Sequence, residues 1–242
     1  MIYADVHAHL DMIKDVESVV KRAEAAGVKA IVTYGTDKET NMTALALSKK
    51  FPIVKAALGL YPTAVELSEE EVKKELAFIE KQDIVAVGEI GLEYQEVEER
   101  ERQQEIFEQQ LALAKKMGKV SVVHSRKAER EVVETLVNKK QKAILHAFHG
   151  NMALVKEAVD ANLYFSIPAN IERADHFQRL VKEAPLSHLL TETDAPFLAP
   201  EKEGKSESAM VVQTVEAIAK IKEITAEECA NIMYSNYQKL FY

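Results

Sequence analysis

The sequence predicts a (β/α)8 barrel of the TIM type, and three observations carry the prediction. Short apolar runs rich in β-branched residues alternate with longer amphipathic segments at intervals of roughly 20 to 36 residues, and eight such units follow one another. The runs are apolar along most of their length, which suits parallel strands covered on their outer face, and eight repeats is the number that closes such a sheet on itself. An open doubly wound sheet would ordinarily place a glycine-rich phosphate loop after its first strand. HAHLDM, the segment following Val6, contains no glycine.

Each strand is justified by its composition. The runs are IYADVHAHL from Ile2, KAIVTYG from Lys29, IVKAALGL from Ile53, IVAVGEIGL from Ile84, KVSVVHS from Lys119, KAILHAF from Lys142, LYFSIP from Leu163 and LLTETDAP from Leu189. All are short and β-branched, features that disfavour a helix. Between them, SVVKRAEAAG from Ser18, EEEVKKELAFIEK from Glu69 and ALVKEAVDAN from Ala153 repeat apolar residues at three- and four-residue steps and read as surface helices. Gly27, Gly118 and Asn162 stand just past helix ends, where a left-handed residue commonly closes a helix. After the eighth strand, SAMVVQTVEAIAKIKEI from Ser208 and the segment from Ala226 read as helices that complete the outer layer. No Pro-, Gly- or Ser-rich linker divides the chain, so residues 1–242 are expected to form a single domain.

Composition narrows the function classes. A chain of 242 residues with 47% hydrophobic and 29% charged residues has material for a sizeable core and is far from a disordered composition. The 39 acidic residues outnumber the 31 basic ones, and the formal charge of -8 disfavours non-specific adsorption to nucleic acid or anionic lipid. Cys229 is the one cysteine, which permits no disulfide within the chain. No run of about 18 apolar residues appears, and Asp5 and His7 interrupt the N-terminal stretch where a signal peptide would be hydrophobic. A soluble, cytoplasmic protein with no membrane partner is expected.

The chemistry concentrates at one end of the predicted strands. His7 and His9 are two apart on a strand, so their side chains leave on the same face. Glu89 lies at the end of the fourth strand, His124 of the fifth, His146 of the sixth and Asp194 of the eighth, and in a barrel the C-terminal ends of the strands form the active-site face. Singly, each has an ordinary reading: a solvated strand end, a turn before Pro196, two histidines alternating by chance. Jointly, six ionisable groups directed into one mouth are costly to bury without a metal or mutual pairing, and nitrogen and oxygen donors of this kind suit one or two divalent ions.

The segments HAHLD at 7–11, GEIGLEY at 88–94, VVHSRKA at 122–128, HAFHG at 146–150 and ETDAPFL at 192–198 resemble, in order, those of the TatD-like metal-dependent hydrolases, which include the TatD deoxyribonucleases and belong with the wider amidohydrolase-like barrels. The RQQEIFEQQLALAKKMGK stretch from Arg102 is similar to that family's helix before the fifth strand. The resemblance implies that His7, His9, Glu89 and Asp194 hold one metal and that Glu89, His124 and His146 hold a second, with Glu89 bridging and no carboxylated lysine required. It implies two divalent ions per chain, with zinc, manganese and magnesium all open. Asp194 would then accept the proton of the attacking water, and Arg126 would be a clamp for phosphate or carboxylate. The alternative for Arg126 is an ordinary loop ion pair.

The sequence also departs from the family pattern. GLYPT stands where GVHPH is common, placing Tyr61 and Thr63 at positions of substrate contact. GLEY replaces GLDY, making Glu93 one methylene longer at a position expected near the first metal. HAFHG introduces His149 as a substrate contact, a hydrogen-bond donor behind the ligands, or a surface histidine. The basic loop of bacterial members becomes PEKEGKSES from Pro200, which retains Lys202 and Lys205 but loses arginine. His176, His188 and Cys229 are read as structural, and the acidic run EVEERERQQE from Glu96 as a solvated helix start. Three functions follow for comparison: a phosphodiesterase acting on DNA ends or single strands, a hydrolase of small amides, esters or lactones, and a metal-retaining binding or scaffold protein. The presence of all six ligands argues for the enzymes over the scaffold.

Overall fold

The computed structural model describes residues 1–242. Eight strands, β1 (Tyr3–Ala8), β2 (Val28–Tyr34), β3 (Val54–Leu58), β4 (Ala86–Gly91), β5 (Val120–His124), β6 (Ala143–His146), β7 (Tyr164–Ile167) and β8 (Leu189–Thr191), run parallel in sequence order. Every predicted run contributes one of them. The intervening helices are α1 (Val16–Ala25), α2 (Lys38–Lys50), α3 (Glu69–Ile79), α4 (Arg100–Met117), α5 (Glu129–Lys139), α6 (Met152–Asp160) and α7 (Asp175–Glu183). Two more, α8 (Val211–Lys222) and α9 (Ala226–Phe241), follow β8, completing a (β/α)8 barrel. No helix is long and apolar enough to cross a membrane.

Local chemistry sets the helix ends. Asp37 and Ser68 form capping boxes with Thr40 and Glu71, and Thr225 does the same with Glu228, each pair satisfying amide groups that a first helical turn leaves free. Gly27, Gly118 and Asn162 adopt positive φ, as their positions after helices predict. The run from Glu96 divides differently from the sequence reading: α4 starts only at Arg100, so Glu96, Glu98 and Glu99 precede the helix.

Two apolar layers result. Outward residues such as Ile31, Val54, Val87, Val123, Leu145 and Phe165 pack beneath the helices. Inward residues of the first halves of the strands, among them Ala4, Val6, Ala30, Val32, Val120 and Ile144, fill the barrel. Tyr237, Leu240 and Phe241 join this inner layer, so the last turns of α9 close the bottom of the barrel as well as adding to its outer coat. The apolar strand starts would otherwise meet water there. Lys142 at the foot of β6 donates to the carbonyls of Lys239 and Leu240 and so satisfies the end of α9.

The seam between β8 and β1 is closed beyond the regular strands. His9 donates its amide to Ala195 O at 2.7 Å, Asp194 donates its amide to His7 O at 2.9 Å, and the Thr193 amide and hydroxyl donate to the buried Asp5 carboxylate at 2.9 and 2.6 Å. Metal-ligand candidates from both ends of the chain are thereby fastened together.

Asn236 of α9 is nearly buried and donates to the carbonyls of Leu186 and Leu189, both at 2.8 Å, holding the entry to β8. Asn236→Ala is expected to lower unfolding free energy by about 2 kcal/mol, because buried acceptors lose their donor. Urea denaturation measures this; a loss below about 0.5 kcal/mol would remove that clamp from the account of the seam.

Candidate metal centre

The mouth of the barrel is built by two irregularities toward the C-terminal ends of β1 and β4. The register of β1 against β2 shifts between Asp5 and Ala8, and that of β4 against β5 shifts between Val87 and Ile90. A bulge re-aims the side chains it carries. Val6 therefore packs in the inner layer while its neighbour His7 also faces the barrel, stacked between Tyr34 and His146 at centroid distances of 4.1 and 3.8 Å. His9 lies just past β1, and its ring meets that of His7 through Nε2 atoms 3.3 Å apart. The shared face inferred from their spacing is correct, although only His7 is in the strand. Beyond Glu89, Gly91 adopts a φ of +139°, and a Cβ there would lie 2.0 Å from His124 O. Only glycine lets β4 pass this close to the end of β5.

Glu89 is the centre of the arrangement. Its Oε2 lies 3.4 Å from His7 Nε2 and 3.3 Å from His9 Nε2, while its Oε1 lies 3.1 Å from His124 Nδ1. Asp194 Oδ1 closes the opposite side, 3.8 Å from His7 Nε2, 3.5 Å from His9 Nε2 and 3.9 Å from His146 Nε2. Five edges of the figure formed by His7, His9, Glu89 and Asp194 thus measure 3.3, 3.4, 3.3, 3.8 and 3.5 Å. Four ligands at zinc-like bond lengths in a tetrahedron would stand about 3.3–3.5 Å apart. His7 Nδ1 and His9 Nδ1 are buried and without partners, so the two rings are aligned by the convergence of their Nε2 atoms. This donor set fits a divalent ion. His7, Glu89 and His146 form a second trio with ligand atoms within 4.8 Å of one another, sharing His7 with the trio His7, His9 and Asp194. His124 is joined to the cluster through Glu89, with its ring 6.5 Å from that of His146 between centroids.

Burial and mutual charge govern the protonation states. Burial, reinforced by the neighbouring charge of His146, lowers His7 to about 4, leaving a neutral imidazole at neutral pH. Burial raises Asp194 to about 6, with His146 and His9 opposing it. Burial would also raise Glu89, but hydrogen bonding with His124, His7 and His9 holds its carboxyl well below the usual range.

Two carboxylates that the sequence reading left without a clear role stand behind the ligands. Glu192 Oε2 is 2.8 Å from His146 Nδ1 and its Oε1 accepts the Ala147 amide at 3.1 Å, which directs His146 Nε2 toward Asp194. The one sign of it in the sequence is its place just past the end of β8, two residues before Asp194. Glu93 Oε2 is 2.9 Å from His124 Nε2, which directs Nδ1 toward Glu89. Glu93 therefore stands behind a ligand of the second set rather than beside the first, as its extra methylene reaches across to β5. Such carboxylate–histidine contacts orient metal ligands and raise their basicity.

The expected substrate contacts are placed unevenly. A cavity of about 450 Å³ opens over the centre and is lined by His124, Arg126, Lys127, His146, His149 and Asp194 among others. Arg126 pairs with Glu96 at 3.3 Å, so the ion-pair alternative is present while the guanidinium still faces the cavity. The Tyr61 hydroxyl is 3.1 Å from His124 Nε2 and is occupied by that ligand. His149 is exposed on the cavity wall and stacks on His176 at 5.3 Å, which brings His176 to the functional face as well.

Comparison with known proteins agrees with this geometry. The chain matches the family described as TatD related DNase over residues 4–242. It is 36% identical to an uncharacterized metal-dependent hydrolase, YabD, of Bacillus subtilis, with 98% of each chain covered. It is 32% identical to the human deoxyribonuclease TATDN3, covering 98% of this chain and 93% of that one. The crystal structure of YjjV, a TatD homolog from Escherichia coli, superposes with a TM-score of 0.91 at 27% identity, covering 99% of this chain and 97% of that one. A barrel whose mouth gathers buried imidazoles and carboxylates into a donor set of metal-binding dimensions, together with these matches, makes this chain a member of the TatD family of metal-dependent hydrolases.

Proposed function

We propose that this protein is a phosphodiesterase that hydrolyses DNA at ends or in single strands with two divalent ions, of zinc, manganese or magnesium. The observation that carries the reading is the division of one carboxylate: Glu89 Oε2 faces His7 and His9 while Oε1 faces His124. In this reading His7, His9, Glu89 and Asp194 hold one ion, and Glu89, His124 and His146 hold the other. Ions so placed supply Lewis acidity toward phosphoryl oxygens and make water acidic enough to attack near neutral pH. The likeness to a human protein named deoxyribonuclease supports the substrate class.

The chain's own groups do the remaining work. Asp194 is positioned to take the proton of the attacking water at its carboxylate. Glu192 and Glu93 hold His146 and His124 in fixed orientations. Arg126 and Lys127 offer positive charge at the rim of the cavity. Phe197, 51% exposed with its ring 6.2 Å from that of His9, presents a face on which an unpaired base can stack. The Arg126–Glu96 pair favours a second reading, hydrolysis of a small amide, ester or lactone, because it reduces the positive charge available to a polyanion.

Reconstituted protein is expected to bind up to two divalent ions per chain and to lose hydrolysis on chelation. Metal analysis finding less than about half an ion per chain would end the reading. Glu192→Gln is expected to weaken metal affinity by about 10- to 100-fold, through a less well-oriented His146.

Asp194→Asn is expected to reduce turnover about 100-fold or more while keeping the fold and at least one ion, since an amide can coordinate through oxygen but accepts no proton. Glu89→Gln should lower occupancy at both positions. Parent-level turnover with normal metal content in both variants would show the assigned roles to be wrong.

Few cations face the mouth, so affinity for single strands should depend weakly on salt. Two or three phosphate contacts predict a slope of about -1.4 to -2.1 for log affinity against log salt. Titration of the Asp194→Asn variant measures it, and a slope steeper than about -5 would reveal an extended basic groove. No binding at low salt, with turnover of esters or lactones, would establish the second reading.

A further inference from the structure

His149 is not among the candidate metal ligands and its side chain is exposed, yet its ring is held by a hydrogen bond and two aromatic contacts. The hold begins at Ala147, whose φ of +39° lies in the left-handed region that a non-glycine residue seldom occupies. This turn points the Ala147 amide at Glu192 Oε1 and leaves its carbonyl to accept from His149 Nδ1 at 2.7 Å. A carbonyl only accepts, so Nδ1 carries a hydrogen and the free nitrogen is Nε2. The ring stacks on His176 with planes 10° apart and meets the edge of Phe177 at 4.9 Å. His176 is itself fixed, because its Nε2 donates to Phe148 O at 3.0 Å. The same carboxylate, Glu192, therefore orients His146 through one oxygen and, by way of Ala147, His149 through the other.

His146 and His149, oriented through the one carboxylate, both line the cavity that also holds Asp194 and His124. Phosphodiester hydrolysis needs two proton transfers, one from the attacking water and one to the departing oxygen, and Asp194 provides for the first only. We propose that His149 is the proton donor to the leaving oxygen, an assignment that rests on the phosphodiesterase reading. As the water oxygen bonds to phosphorus, its proton passes to Asp194. As the bond from phosphorus to the leaving oxygen breaks, the leaving oxygen takes the proton from Nε2 of the His149 imidazolium. The neutral ring keeps its Nδ1–H on the Ala147 carbonyl. Solvent returns a proton to His149 and removes one from Asp194, so the cycle consumes one water and leaves the enzyme unchanged.

The test is a series of thymidine 5′-aryl phosphodiesters whose phenols range from p-nitrophenol to unsubstituted phenol, with kcat/KM measured for metal-loaded parent and for His149→Phe and His149→Gln. Phenylalanine preserves the stack on His176, and glutamine retains a donor that transfers no proton. Both variants are expected to lose least on the p-nitrophenyl ester, whose leaving group needs little assistance, and about 100-fold more on the phenyl ester, steepening the dependence on leaving-group acidity. An equal loss across the series, or no loss, with parental metal content and melting temperature, would overturn the assignment and make His149 a binding or structural residue. A metal-loaded parent that hydrolyses no member of the series overturns the phosphodiesterase reading and this assignment with it.

Discussion

Glu89 carries the constraint on which the rest of the mouth depends. Its carboxylate is buried among imidazoles that approach both of its oxygens, and those contacts outweigh the burial that would otherwise neutralise it. Placing it there requires the register shift of β4, the close passage of Gly91 by His124, and the neighbouring shift in β1 that turns His7 inward. Each of these departs from ideal strand geometry. The regular lower half of the barrel, packed with Ala4, Val32, Val120 and Ile144, supplies the rigidity that keeps those departures in place.

The seam between β8 and β1 serves the same centre. The hydrogen bonds of Asp194 and His9 across it join the first and last candidate ligands of the chain through backbone, which fixes the bases from which their side chains converge. Asp5, beneath the ligands, ties the loop carrying Asp194 to β1 through Thr193. Behind the ligands, Glu192 and Glu93 contact His146 and His124 at 2.8 and 2.9 Å. A centre built of short, mostly buried contacts has few alternative arrangements, which favours a defined position for a bound ion.

Electrostatics at the rim contrasts with that in the interior. The chain carries a formal charge of -8, and the guanidinium of Arg126 is shared with Glu96. Beside the shared guanidinium, Lys127 lines the mouth and Phe197 leaves its ring 51% exposed near His9.

The eight strands, the alternating helices and the six candidate ligands were legible in the amino-acid sequence because each is a local signal: β-branched runs, three- and four-residue periodicity, and polar residues at strand ends. The two-residue spacing of His7 and His9 was legible for the same reason. The roles of Glu192, Glu93 and Tyr61 were not, because each depends on which ring nitrogen of a distant histidine it meets across the barrel. Nor could periodicity place His176 beside His149, since they lie on different βα units and meet only after the strands close. The cover that Tyr237, Leu240 and Phe241 provide for the barrel floor was hidden likewise, as an amphipathic helix shows that it has an apolar face without showing what that face will cover. Local pattern determined the elements and the chemistry they carry. Tertiary structure alone decided the bulges, the seam and the pairing of side chains, because those arise from distances between residues that the chain order leaves far apart.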